Sequence, residues 1–506
     1  MKKPSKSLLC LVILLVLTAP LHARERSAVL LTVIHLNDLH GRLLPFHDKS
    51  ISETTPVGGA ARLARMIADE RAKNPGGTVL LSAGDMFQGS PISNVFYGES
   101  VIAFMNALKF DAMAIGNYEL DWGQGVLNQL AAAAAFPFLS ANIQDKQSMA
   151  LSWAKPSVAL TKNNLKLVVI GMTTPDTPFT TRPGNVSGLT FRDPVEILPQ
   201  LIREARNRGA DLIVLLSHLG LDADQQIAEQ IAGIDVIIGG HSHTAITHPL
   251  RVNDTIIVQA GAYGAYLGVL QLTVEPFSRK IVDYTRTNEL RTVLSGPSDP
   301  VDESVVRIVD RFNDQIRTKF ARVIGESSVD LVRNPHEESN VGDLICDAMR
   351  HASGADIAFQ NGGGIRADIP QGKITLEQVY TLLPFDDVLV VMDLTGDQIK
   401  QILEQNTSFG HSILQTSGTT VHYDLTRPAD SRVIRVDVGD KPLEPLKTYR
   451  VATNDFLAAG GDYFKTFKEG KHLAYGNSLV EAFTTYLEKH SPVHPEREKR
   501  IVFVNQ

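Results

Sequence analysis

The stretch Val29-Leu30-Leu31-Thr32-Val33-Ile34-His35-Leu36-Asn37-Asp38-Leu39-His40-Gly41 decides how the chain is read. The run from Val29 to Ile34 is mostly apolar and β-branched, which predicts a buried strand. Asp38 and His40 follow at its end. In extended backbone, residues two apart point to the same side. A carboxylate and an imidazole therefore face one spot, as two ligands of a metal should. An Asp-x-His pair is a weak signal on its own. Its meaning depends on whether other segments supply the missing ligands.

Working outward, strands and helices alternate. Helical patterns are predicted near 60–72, 101–108, 131–135 and 194–208, and apolar strands at 78–82, 112–115, 168–171, 212–216 and 236–238. This alternation predicts an α/β layered domain. Asp38, His40, Asp85, Asn117, His218, His241 and His243 all fall at or just past the C-terminal ends of such strands. That edge of an α/β sheet is where ligands collect. Each residue alone reads as a turn residue or a satisfied loop histidine. Together they predict one site on one sheet edge. Carboxylate, imidazole and amide oxygen without thiolate favour a hard or borderline divalent ion. The set is too large for one tetrahedral ion and suits two ions, roughly 3.5–4 Å apart, bridged by Asp85.

At 506 residues the chain is long for a single core, so two domains are expected. The net charge of -7 is mild, and no Lys/Arg block marks a nucleic-acid face. Lys2, Lys3 and Lys6 precede the apolar core 8–17, and Ala23 ends a cleavage site, which predicts a cleaved export signal at 1–23. The core is too short to span a membrane, so no stable membrane anchor is expected. Cleavage leaves Cys346 as the sole cysteine, in a helical segment, where it reads as a buried small hydrophobe.

Residues 287–300 turn loop-like, and 302–321 read as one helix. Val305, Ile308, Val309, Phe312, Ile316 and Phe320 form its apolar stripe. Pattern alone fits a domain connector and an ordinary core helix equally. Beyond Arg322 the texture changes to strands and turns with few helices. Asn361-Gly362-Gly363-Gly364-Ile365-Arg366 offers close backbone approach and a planar guanidinium for phosphate, or simply a tight turn with a surface arginine. Phe385 and Phe456 each stand beside turn residues. Such an aromatic is a core-edge residue or, in a pair, a sandwich for a flat base.

Asp38-Leu39-His40, Gly84-Asp85, Gly116-Asn117-Tyr118-Glu119, Ser217-His218 and Gly240-His241-Ser242-His243 resemble the motifs of the calcineurin-like metallophosphoesterases. The loop 85–91 is similar to that of the 5′-nucleotidase branch, which includes periplasmic UDP-sugar hydrolases. The resemblance spans essentially the whole mature chain. It implies a four-layer α/β/β/α metallophosphoesterase domain at 24–298, a linker helix at 299–322 and an α+β nucleotide-recognition domain at 323–506. It also implies one ion on Asp38, His40, Asp85 and His243 and a second on Asp85, Asn117, His218 and His241. The ions would be Zn, Mn, Co or Fe. Phe385 and Phe456 would stack the base, Asp462 would hold the ribose, and Asn361, Arg366 and an offset Arg333 would meet the phosphate. Asp387 stands where relatives often carry Asn.

One departure stands out. The family pattern has Asn-His-Glu where this chain has Asn117-Tyr118-Glu119, and the usual His pairs with an Asp matching Asp121. Tyr118, aligned by Asp121, is expected to take a residual role beside Asn117 near the leaving group. The resemblance implies a periplasmic or secreted hydrolase that strips 5′-phosphate from nucleoside monophosphates for salvage, with no obligate protein partner. A hydrolase of UDP-sugars, cyclic nucleotides or diphosphates, and a weakly active nucleotide-binding protein, are the alternatives.

Overall fold

A computed structural model describes residues 28–147, 151–286, 289–407 and 412–505. The export signal expected at 1–23 lies outside them. No helix among the described residues is long and apolar enough to cross a membrane.

The opening strand, Val29–Leu36, runs parallel to Thr78–Ser82, which continues parallel to Ala112–Ala114 and Phe138–Leu139. On its other side it pairs antiparallel with Tyr266–Val274. A second sheet takes the order Leu250–Val252, Thr255–Val258, Val236–Gly239, Leu212–His218, Leu165–Thr173, Ser157–Lys162, parallel at its centre. The period of two sorts each strand between layers. Leu31 and Val33 share a core with Leu167, Val169, Val214 and Leu216 of the second sheet. Ile34 and Leu36 face helices Ala60–Lys73 and Glu99–Ala107. On the far side, Ile170, Ile213 and Leu215 pack on helices Pro194–Asn207 and Leu221–Gln230. The result is four layers, α/β/β/α. Strands buried on both faces read as unbroken apolar runs.

This corrects one expectation. The candidate ligands do not line a single sheet edge. Asp38, Asp85 and Asn117 follow strands of the first sheet, and His218, His241 and His243 end or follow strands of the second. Both sheets present their C-terminal ends at the same rim. Apolar periodicity reveals strands but not which sheet they join.

The second half holds a 5-stranded and a 4-stranded sheet. Asn340–Ser353 is the helix expected around Cys346, and the half is otherwise richer in helix than the sequence suggested, with Leu376–Leu382, Gly396–Gln405 and Leu479–His490. Two of these start in capping boxes, Thr375 with Gln378 and Thr395 with Gln398. Thr-x-x-Gln was a readable start signal. A short strand, Leu290–Thr292, also interrupts the segment read as loop.

Helix Glu303–Phe320 joins the halves, with Asp302 accepting from the amides of Ser304 and Val305. Its stripe of Val305, Val309, Phe312, Ile316 and Phe320 is buried, and Ile308 is partly so. Phe312 meets Phe96 of the first half at 5.1 Å, and Phe320 meets Tyr380 of the second at 4.9 Å. It is both connector and core helix.

Candidate active site

Turns after the strands place the ligand candidates, and several turns are strained. Asp38, His40, Asp85, His241 and His243 have φ of 49°, 50°, 52°, 72° and 55°. Non-glycine residues rarely adopt this left-handed region, and such residues are concentrated at turns and functional sites. Gly116 is needed for a different reason. A Cβ there would lie 2.1 Å from Asp85 Oδ1.

Two clusters form. In the first, His243 Nε2 lies 3.0 Å from His40 Nε2 and 3.5 Å from Asp38 Oδ1. In the second, His218 Nε2 lies 3.1 Å from Asp85 Oδ2 and 3.2 Å from Asn117 Oδ1, and the His241 ring is 5.0 Å from that of His218. Asp38, His40 and His243, and likewise Asp85, His218 and His241, offer ligand atoms within 4.8 Å of one another. His40 Nδ1 donates to the Gln88 carbonyl at 2.9 Å and His218 Nδ1 to the Ala83 carbonyl at 2.7 Å. Each bond leaves the Nε2 lone pair facing its cluster. Asn117 Nδ2 donates to the Thr180 carbonyl at 3.0 Å, which turns Oδ1 inward. Once His218 gives up its Nε2 proton, ligand atoms converge on one another in both clusters, an arrangement that cations reconcile. The donor set fits two divalent ions.

Electrostatics agree. Burial, then His243, holds His40 down at about 3, and burial, then His218, holds His241 at about 4. Both rings are neutral at pH 7. Burial also opposes charge on His218, but Asp85, Asp38 and Glu119 outweigh it and lift its pKa to about 10. A cation arriving there displaces a proton.

Two clamps behind these ligands were not recognised from sequence. Glu119 accepts from three amides, Asp85 at 2.8 Å, Met86 at 2.7 Å and Gly116 at 2.7 Å, tying two ligand loops together. Burial, then Asp85, pushes its pKa up to about 7. Asn37 donates to Asp38 Oδ2 at 2.7 Å and to the Gly261 carbonyl at 2.6 Å. Glu119 stands in the motif quoted above, but its clamping role depends on amides that only the fold brings together; Asn37 holds a ligand candidate, Asp38, and a carbonyl distant in the chain.

In front lies a cleft of about 390 Å³ between the halves. Asp85, Asn117, His241 and His243 line one wall, and Asn361, Arg366, Phe385, Phe456, Asp462 and Arg333 the other. Arg333 reaches the cleft despite its sequence offset, its Nη1 donating to the Ile365 carbonyl at 3.3 Å. Asn361 Nδ2 donates to Asp462 Oδ2 at 2.8 Å, so these two act at one point. Tyr118 and Asp121 also line the cleft, but Asp121 does not align Tyr118: its Oδ1 accepts from the Thr181 hydroxyl instead. The Tyr118 ring sits 5.3 Å from His40 and 5.3 Å from Phe385, and the Arg366 guanidinium lies 5.8 Å from it. Burial keeps its phenol neutral, raising its pKa well above the usual range against the pull of Arg366. Tyr263, also missed, packs 5.6 Å from His40 and 5.5 Å from His243, with Arg42 4.4 Å over its ring. Cys346 is buried and free, and burial raises its thiol pKa, as suits an inert core position.

Residues 31–245 match the calcineurin-like phosphoesterase family model, and residues 323–469 match the 5′-nucleotidase C-terminal domain model. A snake venom 5′-nucleotidase from Crotalus adamanteus is 33% identical, covering 94% of this chain and 88% of its own. The structure of a 5′-nucleotidase precursor from Thermus thermophilus is 35% identical and superposes with a TM-score of 0.87, covering 94% of this chain and 100% of its own. A sulfate thiohydrolase from the same organism shares the fold at 22% identity, with a TM-score of 0.82 over 94% of this chain and 97% of its own. The chain therefore belongs to the 5′-nucleotidase family of calcineurin-like metallophosphoesterases and is a metal-dependent phosphohydrolase.

Proposed function

We propose that this phosphohydrolase removes the 5′-phosphate from nucleoside monophosphates outside the cytoplasm, so that the uncharged nucleoside can be salvaged. The observation that carries the reading is the single cleft, which joins Asp85, Asn117 and His243 at one end to Phe385, Phe456 and Asp462 at the other. Asp38, His40, Asp85 and His243 would hold one divalent ion, and Asp85, Asn117, His218 and His241 the second. Bound ions supply the positive charge that polarises a phosphoryl group and acidifies water.

The chain's own residues do the rest. Arg366 and Arg333 orient the phosphate as fixed cations. Phe385 and Phe456 hold the base by its faces, which any base presents. Asp462, steadied by Asn361, takes the ribose hydroxyls. The neutral Tyr118 donates a hydrogen bond toward the leaving oxygen but brings no positive charge.

The test is phosphate release from a nucleotide panel by metal-stripped protein, with zinc, manganese, cobalt or iron added back singly. Hydrolysis of at least one monophosphate with at least one metal is expected. No hydrolysis of any nucleotide with any metal defeats the proposal. Tyr118 favours a second reading, hydrolysis of UDP-sugars or nucleoside diphosphates, whose phosphate leaving groups need less help from an acid. A kcat/KM for such diphosphates above that for every monophosphate decides for it.

A further inference from the structure

The short segment Thr177–Thr180 and the two residues after it lie in the first domain but touch both ends of the cleft. At the metal end, the Thr180 carbonyl accepts from Asn117 Nδ2 at 3.0 Å, and the Thr181 hydroxyl donates to Asp121. At the recognition end, Arg182 Nη2 donates to the Phe385 carbonyl at 2.7 Å and stands 3.7 Å from Asp387. The ring of Phe179 stacks on Tyr463, next to Asp462, with centroids 4.5 Å apart and planes at 24°. The Tyr463 hydroxyl shares a hydrogen bond with Asp176, at the start of the segment.

The Thr180 bond decides which end of the Asn117 amide faces the cluster. Oδ1 lies 3.2 Å from His218 Nε2. Rotating the amide by half a turn would put two N–H donors there and remove a ligand oxygen. We infer that residues 176–182 are a positioning strap: the second domain, gripping the strap through Phe179 and Arg182, keeps Asn117 oriented for catalysis. The strap residues need not touch the substrate. Their contribution is to make ligand geometry in one domain depend on a ring in the other.

This rests on the phosphohydrolase reading of the same cleft, and the test separates the two. The enzyme is compared with Phe179→Ala, Tyr463→Ala, the double variant and Tyr463→Phe. Turnover is measured on the fastest-cleaved nucleoside monophosphate and on p-nitrophenyl phosphate, which has no base or ribose. Each single alanine variant is expected to lower kcat about tenfold or more on both substrates. The double variant should fall no further than either single one, because both cut the same link. Tyr463→Phe, which keeps the ring, should stay within about threefold of wild type. Phe179→Leu keeps apolar bulk and guards against a folding defect; with a wild-type melting temperature it must show the same kcat loss. The inference is overturned if losses appear only with the nucleotide, if they multiply in the double variant, or if Tyr463→Phe is as impaired as Tyr463→Ala. A wild type inert toward nucleotides but active on p-nitrophenyl phosphate defeats the substrate proposal and leaves this comparison intact.

Discussion

On the metal-side wall of the cleft, ligands are tied from behind. His40 and His218 are fixed by backbone carbonyls at 2.9 and 2.7 Å, and Asp38 accepts from Asn37 at 2.7 Å. On the recognition wall the arginine bonds are longer. Arg366 and Arg333 each reach a loop carbonyl at 3.3 Å, and Phe456 lies against Gly461 at the edge of an apolar cluster. Buried carboxylates of the two halves differ likewise. Glu119 satisfies three amides, whereas Asp343 accepts from no amide and faces another carboxyl, Glu338, with Arg500 at 4.0 Å. Chemistry that needs ligand atoms in fixed places is built on hydrogen bonds to backbone. Under the proposed function, recognition of a flat base is built on packing, which tolerates small displacements.

The most severe way to break the metal-side wall is His218→Ala. Losing a ligand should cost several kcal/mol of charge stabilisation, about a thousandfold in kcat/KM. Steady-state rates at saturating metal check this; a loss below tenfold would mean that the second cluster is not part of the chemistry.

Next comes Glu119→Ala. It strands three buried amides, each worth about 1–3 kcal/mol, so unfolding in urea should reveal a loss of about 3 kcal/mol or more. Glu119→Gln keeps an acceptor and should lose less.

On the other wall, Phe456→Ala should raise KM for a nucleotide about tenfold, in line with roughly 1–3 kcal/mol per stacked base. An unchanged KM would remove Phe456 from the base site.

The smallest effect concerns Asp343. Burial pushes its pKa up from 3.8 to about 8, with Arg500 opposing and Glu338 adding to the rise. Between those values the unfolded chain releases a proton that the folded chain retains. Stability therefore falls as pH climbs from about 4 to about 8. Asp343→Asn should flatten that slope and gain on the order of 1 kcal/mol at pH 8. Melting temperatures of both proteins across this window test it.

Legibility in the sequence followed the same divide. The metal-side residues were readable because seven ligand-type side chains recur at strand ends, where ligands collect, although each alone has an ordinary use as a turn residue or loop histidine. Phe385 and Phe456 were not readable by themselves, since a phenylalanine beside a turn is ordinarily core edge; only the family resemblance marked them. Glu119 was quoted only as a motif residue and Asn37 only as the neighbour of Asp38; their clamping roles, like the packing of Tyr263, also depend on Asp85, Met86, Gly261 and histidine rings distant in the chain. The pairing of strands into two sheets was hidden for a similar reason: periodicity is local and sheet membership is not. The strap at 176–182 has no periodic pattern at all.

The connector helix carries a consequence for how the protein can be taken apart. Its apolar stripe belongs to one cluster that runs from Ile34 and Phe104 in the first half to Leu344 and Phe483 in the second. Cutting the gene near residue 300 would strip Phe312 of Phe96 on one fragment and open the facing core of the other. The halves are thus poor candidates for separate expression, and proteases should find no clean site between them. Insertions and deletions that redesign one half inherit the obligation to preserve a surface on the other.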